Sequence, residues 1–180
     1  MNYHSDFYTD QYYHLYNRGN NKEKIFFEPG NYLFFLKRLD EYLSMCIELF
    51  AYCLLQNHFH LLVKVKNKTS INEQFRLFFL SYSKAINKQT GRTGSLFQKR
   101  FKRIIIEGRP SLCRTVVYIH TNPVYHKVQQ DFYNYKYSSF QSIEKETKIK
   151  REEVRNWFGG YDNFITKLRE IFTELDLPDF

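Results

Sequence analysis

The stretch Leu49–Lys66, LFAYCLLQNHFHLLVKVK, decides the fold. Residues 49–54 are almost wholly apolar and read as a buried strand. The link Leu55-Gln56-Asn57 is short enough to predict a hairpin into a second strand over residues 58–66. That second strand alternates. Phe59, Leu61, Val63 and Val65 fall on one side, and His58, His60, Leu62, Lys64 and Lys66 on the other. The apolar set faces the main core, so both histidines point away from it.

On the N-terminal side, the aromatic run over residues 12–18 reads as a strand ended by the turn signal Gly19-Asn20-Asn21. Pro29 suits the first turn of a helix. Leu33, Leu36, Leu39, Leu43, Cys46 and Ile47 then recur at helical steps and predict one apolar face. On the C-terminal side, Ser70 with Glu73 three residues on matches a capping box. Phe75, Phe78, Phe79, Tyr82 and Ile86 form the stripe of that second helix, which Gly91–Gly94 ends. Residues 96–106 form a basic approach to another strand. A third helix begins at Pro110 and is expected to stop near Asn122, because Pro123 disfavours helical geometry in the residue before it. The order β-α-β-β-α-β predicts an α+β, ferredoxin-like antiparallel sheet with two helices on one face. The third helix is then free to cover the other face, where His58 and His60 lie. From residue 141 the composition turns polar and charged. We read residues 1–140 as the main domain and 141–180 as a small helical appendage, with helices near 154–158 and 164–172.

The chain has 180 residues, enough for one domain with such an appendage. Lys and Arg number 27 against 19 acidic residues, a net charge of +8. That excess suits a polyanionic partner, and equally a soluble basic protein. The tyrosines and phenylalanines fill a core, with some left to stack on bases. Cys46, Cys53 and Cys113 include no C-x-x-C pair and read as reduced core thiols. No apolar run approaches the roughly 20 residues of a membrane span, and no signal layout opens the chain. A soluble, cytoplasmic protein with no membrane partner is the expectation.

Two histidines at i and i+2 on a strand project to one side, where their imidazoles can share a cation. Taken alone, such a pair also occurs on strands with no function. Tyr118 and Asn122 lie four apart, so a helix sets both on one face. An amide oxygen from Asn122 can complete a site of mixed nitrogen and oxygen ligands. Each also has a bland reading, Tyr118 as a half-buried aromatic and Asn122 as a helix end.

The ordered set Tyr13–Asn20 (YHLYNRGN), Ala51–Val63 (AYCLLQNHFHLLV), Gly94–Arg100 (GSLFQKR) and Tyr118–Val124 (YIHTNPV) resembles the REP-associated tyrosine transposases. These are single-tyrosine HUH enzymes related to insertion-sequence transposases. Tyr137-Ser138-Ser139-Phe140 and Trp157-Phe158-Gly159-Gly160 also look like segments common there. Two departures stand out: Leu55-Gln56 precedes Asn57 where the family often has Met-Pro, and Tyr125 stands where an arginine is usual.

The resemblance implies that His58, His60 and Asn122 bind a divalent metal, Mg²⁺ or Mn²⁺, and that Tyr118 is the nucleophile. It implies cleavage and strand transfer of single-stranded DNA through a 5′-phosphotyrosine, on hairpins made from short palindromes. It leaves a monomer or a homodimer open. The basic residues Arg18, Arg92, Lys99, Arg100, Lys102 and Arg103 are the expected DNA contacts. Two rival readings stand beside it. One is a non-catalytic nucleic-acid-binding regulator derived from a transposase. The other is a hydrolase that activates water with the histidines, Tyr118 being structural.

Overall fold

The structure is a computed structural model that describes residues 6–98, 100–142 and 149–174. The chain runs β1 (Tyr12–Arg18), α1 (Pro29–Leu43), β2 (Ile47–Leu55), β3 (His58–Val65), α2 (Ile71–Thr90), β4 (Lys102–Ile106) and α3 (Arg109–Tyr125). The four strands form one sheet in the order β2-β3-β1-β4, and every neighbouring pair is antiparallel. This is the ferredoxin-like α+β arrangement. The short α4 (Ser139–Ser142), then α5 (Arg151–Phe158) and α6 (Tyr161–Glu174), complete it.

Alternation along the strands divides the interior into two clusters. Tyr13, Leu15, Phe59, Leu61 and Val63 meet Phe35 and Leu39 of α1 and Phe75, Phe78 and Tyr82 of α2. Leu62, Cys53 and Leu55 face the opposite way, against Val116 and Val117 of α3 and Phe164 and Leu168 of α6. In β2 the register shifts between Leu49 and Ala51, so Phe50 and Ala51 both join the second cluster. Such a bulge sets two consecutive side chains on one side. Among the described residues Cys46, Cys53 and Cys113 are free thiols, the first two buried.

Three local expectations differ from the structure. Leu33 is 70% exposed, and the buried stripe of α1 is Tyr32, Phe35, Leu39 and Leu43. The aromatic rings win the inward face because they fill more volume: Phe26 stacks on Tyr32 at 4.3 Å and abuts Phe35 at 5.4 Å. The side chain of Ser70 makes no capping hydrogen bond. Its hydroxyl lies 3.8 Å from the Cys46 thiol, and Glu73 pairs with Arg76 instead. Finally, α3 runs through Pro123 to Tyr125. A proline costs the helix one donor, on its own nitrogen, while the turn continues: His126 N–H donates to the Asn122 carbonyl, and Val128 N–H caps the Pro123 carbonyl.

Candidate active site

The site lies where β1, β3 and α3 meet. Antiparallel register sets Tyr16 opposite His60 and Arg18 opposite His58. His14 and Tyr16 share the face of His58 and His60, because Tyr13 and Leu15 take the other side. α3 crosses above and brings down Tyr118 and Asn122. The Tyr118 ring stands edge-on to His60 at 5.4 Å and to His14 at 5.7 Å. Asn122 Oδ1 lies 3.3 Å from His58 Nε2, and its Nδ2 donates to the Tyr118 carbonyl, which fixes the amide's orientation. His58, His60 and Tyr118 thus line one small cavity, and Asn122 lies behind it against His58. The cavity, about 90 Å³, is lined by Tyr16, Arg18, His58, His60, Tyr118 and His126 among others.

Burial keeps these imidazoles neutral. It pulls His58 down to about 3, with the neighbouring His126 adding to the effect and the hydrogen bond to Asn122 opposing it. Burial also holds His60 well below the usual range, helped by His14 and His58. Neutral His58 has one proton and two oxygens to face. Its Nδ1 is 2.6 Å from Asn57 Oδ1, whose amide is oriented by a hydrogen bond from Nδ2 to the Lys22 carbonyl. If Nδ1–H donates there, the Nε2 lone pair confronts the Asn122 oxygen across 3.3 Å. Two acceptors that close need something positive between or beside them. His60 follows the same logic, since its Nδ1 sits 2.9 Å from His14 Nε2. When His60 donates that proton, its Nε2 keeps a lone pair for the site.

Two neutral imidazoles and an amide oxygen form a donor set that fits a divalent cation with sites to spare for phosphate and water. Among the described residues no group of three or more His, Cys, Asp or Glu converges to hold a metal. The residues that do converge here are the mixed set of His58, His60 and Asn122. Tyr118 is half-buried, and desolvation raises its pKa, against the lowering effects of its hydrogen bond to Asn122 and the charge of Arg18. Its phenol stays protonated near neutrality unless positive charge arrives beside it.

The sequence profile of the family described as "Transposase IS200 like" matches residues 7–122, which span β1 to Asn122. The chain belongs to the IS200-like transposases. Among solved structures, this transposase is similar to one titled "Structure of the REP associates tyrosine transposase bound to a REP hairpin". The two share 16% identity and a TM-score of 0.66, over 79% of this chain and 84% of that one. At that identity the likeness is one of fold. No curated protein matches the chain significantly.

The basic residues of the transposase do not act as one patch. Arg18, Arg100 and Lys102 border the small cavity, and the Lys102 ammonium lies 5.5 Å over the Tyr16 ring. Arg103, next along β4, points to the opposite sheet face, with its guanidinium 4.7 Å over the Phe7 ring. It lines a neighbouring groove of about 910 Å³ with Arg76 and Lys84 of α2, and Arg100 borders both. Arg92 lies on the far side of His58 and is ion-paired with Glu23. Lys99 falls outside the described residues. Sequence reasoning passed over His14 and His126, which touch the histidine pair directly. His126 meets His58 edge-on at 4.6 Å. The alternation of His14 and Tyr16 with Tyr13 and Leu15 was the available signal. Among the described residues no helix is long and apolar enough to cross a membrane.

Proposed function

We propose that this transposase cuts and rejoins single-stranded DNA, with Tyr118 as nucleophile. The observation that carries the reading is the convergence of the Tyr118 ring on His60, with Asn122 of the same helix on His58. The phenol oxygen attacks a backbone phosphorus, forming a 5′-phosphotyrosine bond and breaking the bond to the 3′ oxygen. The phenol proton is lost, and the departing oxygen is protonated to a 3′-hydroxyl. Attack by another 3′-hydroxyl reverses these steps and joins strands, because the phosphodiester's energy is kept in the tyrosyl linkage.

His58, His60 and Asn122 would hold a divalent cation, Mg²⁺ or Mn²⁺, which supplies positive charge to the phosphate oxygens and the developing phenolate. Asn57 and His14 fix the tautomers of His58 and His60, each leaving its Nε2 lone pair to the site. Arg18, Arg100 and Lys102 hold the backbone phosphates around the cavity. Hairpins with single-stranded flanks are the substrates we favour, by likeness of fold to the hairpin-bound transposase, and the cytoplasm is where we propose that the enzyme meets them.

The test is a denaturing protein gel of the enzyme incubated with labelled hairpin DNA and Mn²⁺. A labelled covalent band that requires the metal and vanishes in Tyr118→Phe is expected. Free cut product from both proteins would instead make water the nucleophile. Tight binding with no cut product would favour a regulator that has kept the fold without the reaction.

A further inference from the structure

A second cleft lies across the histidine pair from the α2 groove. It measures about 610 Å³ and is lined by Lys22, Lys24, Phe27, Arg92, His126 and Val128 among others. It joins the small catalytic cavity through His58 and His126. The α2 groove joins that same cavity through Asn17, Gln98 and Arg100, and the two outer cavities share no lining residue. The small cavity thus shares wall residues with both, and a strand lying over His58, His60 and Tyr118 would leave it toward the α2 groove at one end and the cleft at the other.

The cleft has the chemistry of a nucleotide site. Phe27 is 38% exposed and Val128 52%, and both line the cleft beside Lys22 and Lys24, so apolar surface and positive charge meet in one recess. Aromatic surface next to cations is how single strands are held irrespective of sequence. The backbone on both rims is also held in left-handed geometry by residues other than glycine: Asn21 at φ 53° and Lys22 at 60° on one rim, Lys127 at 55° on the other. Such geometry costs energy and gathers where a ligand is gripped. Gly19 anchors the first rim, since its N–H donates to the Asn57 carbonyl and a Cβ there would sit 2.0 Å from the Glu23 carbonyl oxygen.

We propose that this cleft binds the nucleotide on one side of the scissile phosphate, while the α2 groove takes the strand on the other side. The proposal rests on the strand-cutting reading above. It gives the enzyme separate grips on the two ends that cleavage creates, so that the freed 3′-hydroxyl end stays near the tyrosyl linkage for rejoining.

The test is fluorescence anisotropy in EDTA, so that binding is read without cleavage. The probes are a short DNA hairpin with no tail, with a thymidine tail on the 5′ side, with one on the 3′ side, and with both. Phe27→Ala/Lys24→Ala should lose about tenfold in affinity for the two-tailed probe and for one single-tailed probe, as loss of one stacked base predicts. The other single-tailed probe and the tailless hairpin should bind as to wild type. Arg76→Ala/Lys84→Ala, which touches the α2 groove alone, should show the reverse tail preference. Phe27→Trp, which keeps the stacking surface, should retain wild-type affinity when made alone. Equal loss on every probe, or no loss on any, would overturn the cleft assignment. A wild-type enzyme that still forms the Tyr118 adduct in that case would leave the cutting chemistry standing; one that neither binds the hairpins nor forms the adduct would remove both.

Discussion

The two faces of the sheet are made by the same strands and have opposite contents. Toward α1 and α2 the packing is almost purely apolar: Phe35, Phe59, Phe75, Phe78 and Tyr82 interlock, and the buried Asn31 there serves as a helix cap. Toward α3 the same strands bury His14, His58 and His60, and α3 adds His120, Thr121 and Asn122. His14, His58, His120 and Thr121 all have hydrogen-bond partners, yet burying and pairing polar groups gains little over apolar packing, so a cluster of them is not explained by folding alone. The difference teaches a division of labour. Both faces carry an apolar core, and only the α3 face combines it with a cluster of buried histidines at the candidate site.

The largest expected effect sharpens that division. Phe35→Ala, on the apolar face, should cost about 3–5 kcal/mol in chemical denaturation. His60→Ala should cost far less stability while abolishing cleavage. If His60→Ala unfolded the protein as badly as Phe35→Ala, the α3 face would be structural and the division would fail.

A second contrast is acid sensitivity. Burial holds His14 and His120 at about 3, well below the usual value of 6.5. The unfolded chain therefore binds protons that the folded one refuses. The stability these groups confer is present above pH 6.5 and is lost as pH falls toward 3, by up to about 1.4 kcal/mol per pH unit for each histidine. Denaturation midpoints should fall between roughly pH 7 and pH 5, and those of His120→Leu should fall less steeply. A pH-independent midpoint would mean the imidazoles are not sealed from water.

Smaller still is the supporting role of His14. His14→Phe should keep the fold yet weaken Mn²⁺ binding by roughly 10–100-fold in calorimetry, the usual cost of losing a group that orients a ligand. Unchanged affinity would free His60 from its neighbour. The smallest effect is on the rim. Replacing Arg100 and Lys102 with Ala should flatten the salt dependence of single-strand binding by roughly 0.7 in log–log slope for each phosphate that is no longer neutralised.

The sheet and its three helices were legible because hydrophobic period and turn chemistry are local. The pairing of His58 and His60 was legible for the same reason: period two put them on one side of β3. His14 was not singled out, since it becomes a neighbour of His60 only through the pairing of β1 with β3, 46 residues apart in the chain. His126 escaped notice because Pro123 was expected to end α3, whereas the helix passes through it and delivers His126 onto His58. Among the basic residues, sequence proximity misled: Lys102 and Arg103 are adjacent in the chain but lie on opposite faces of β4.

Tyr16, Tyr118 and Tyr125 all border the small cavity, so the identity of the nucleophile is the sharpest question the geometry raises. The most direct measurement is peptide mass spectrometry of the trapped protein–DNA adduct after protease and nuclease digestion. A nucleotide mass that fragment ions locate on Tyr118, and on neither Tyr16 nor Tyr125, is the expected result. The modification found on Tyr16 or Tyr125, with Tyr118 unmodified, would contradict the assignment of Tyr118 as nucleophile.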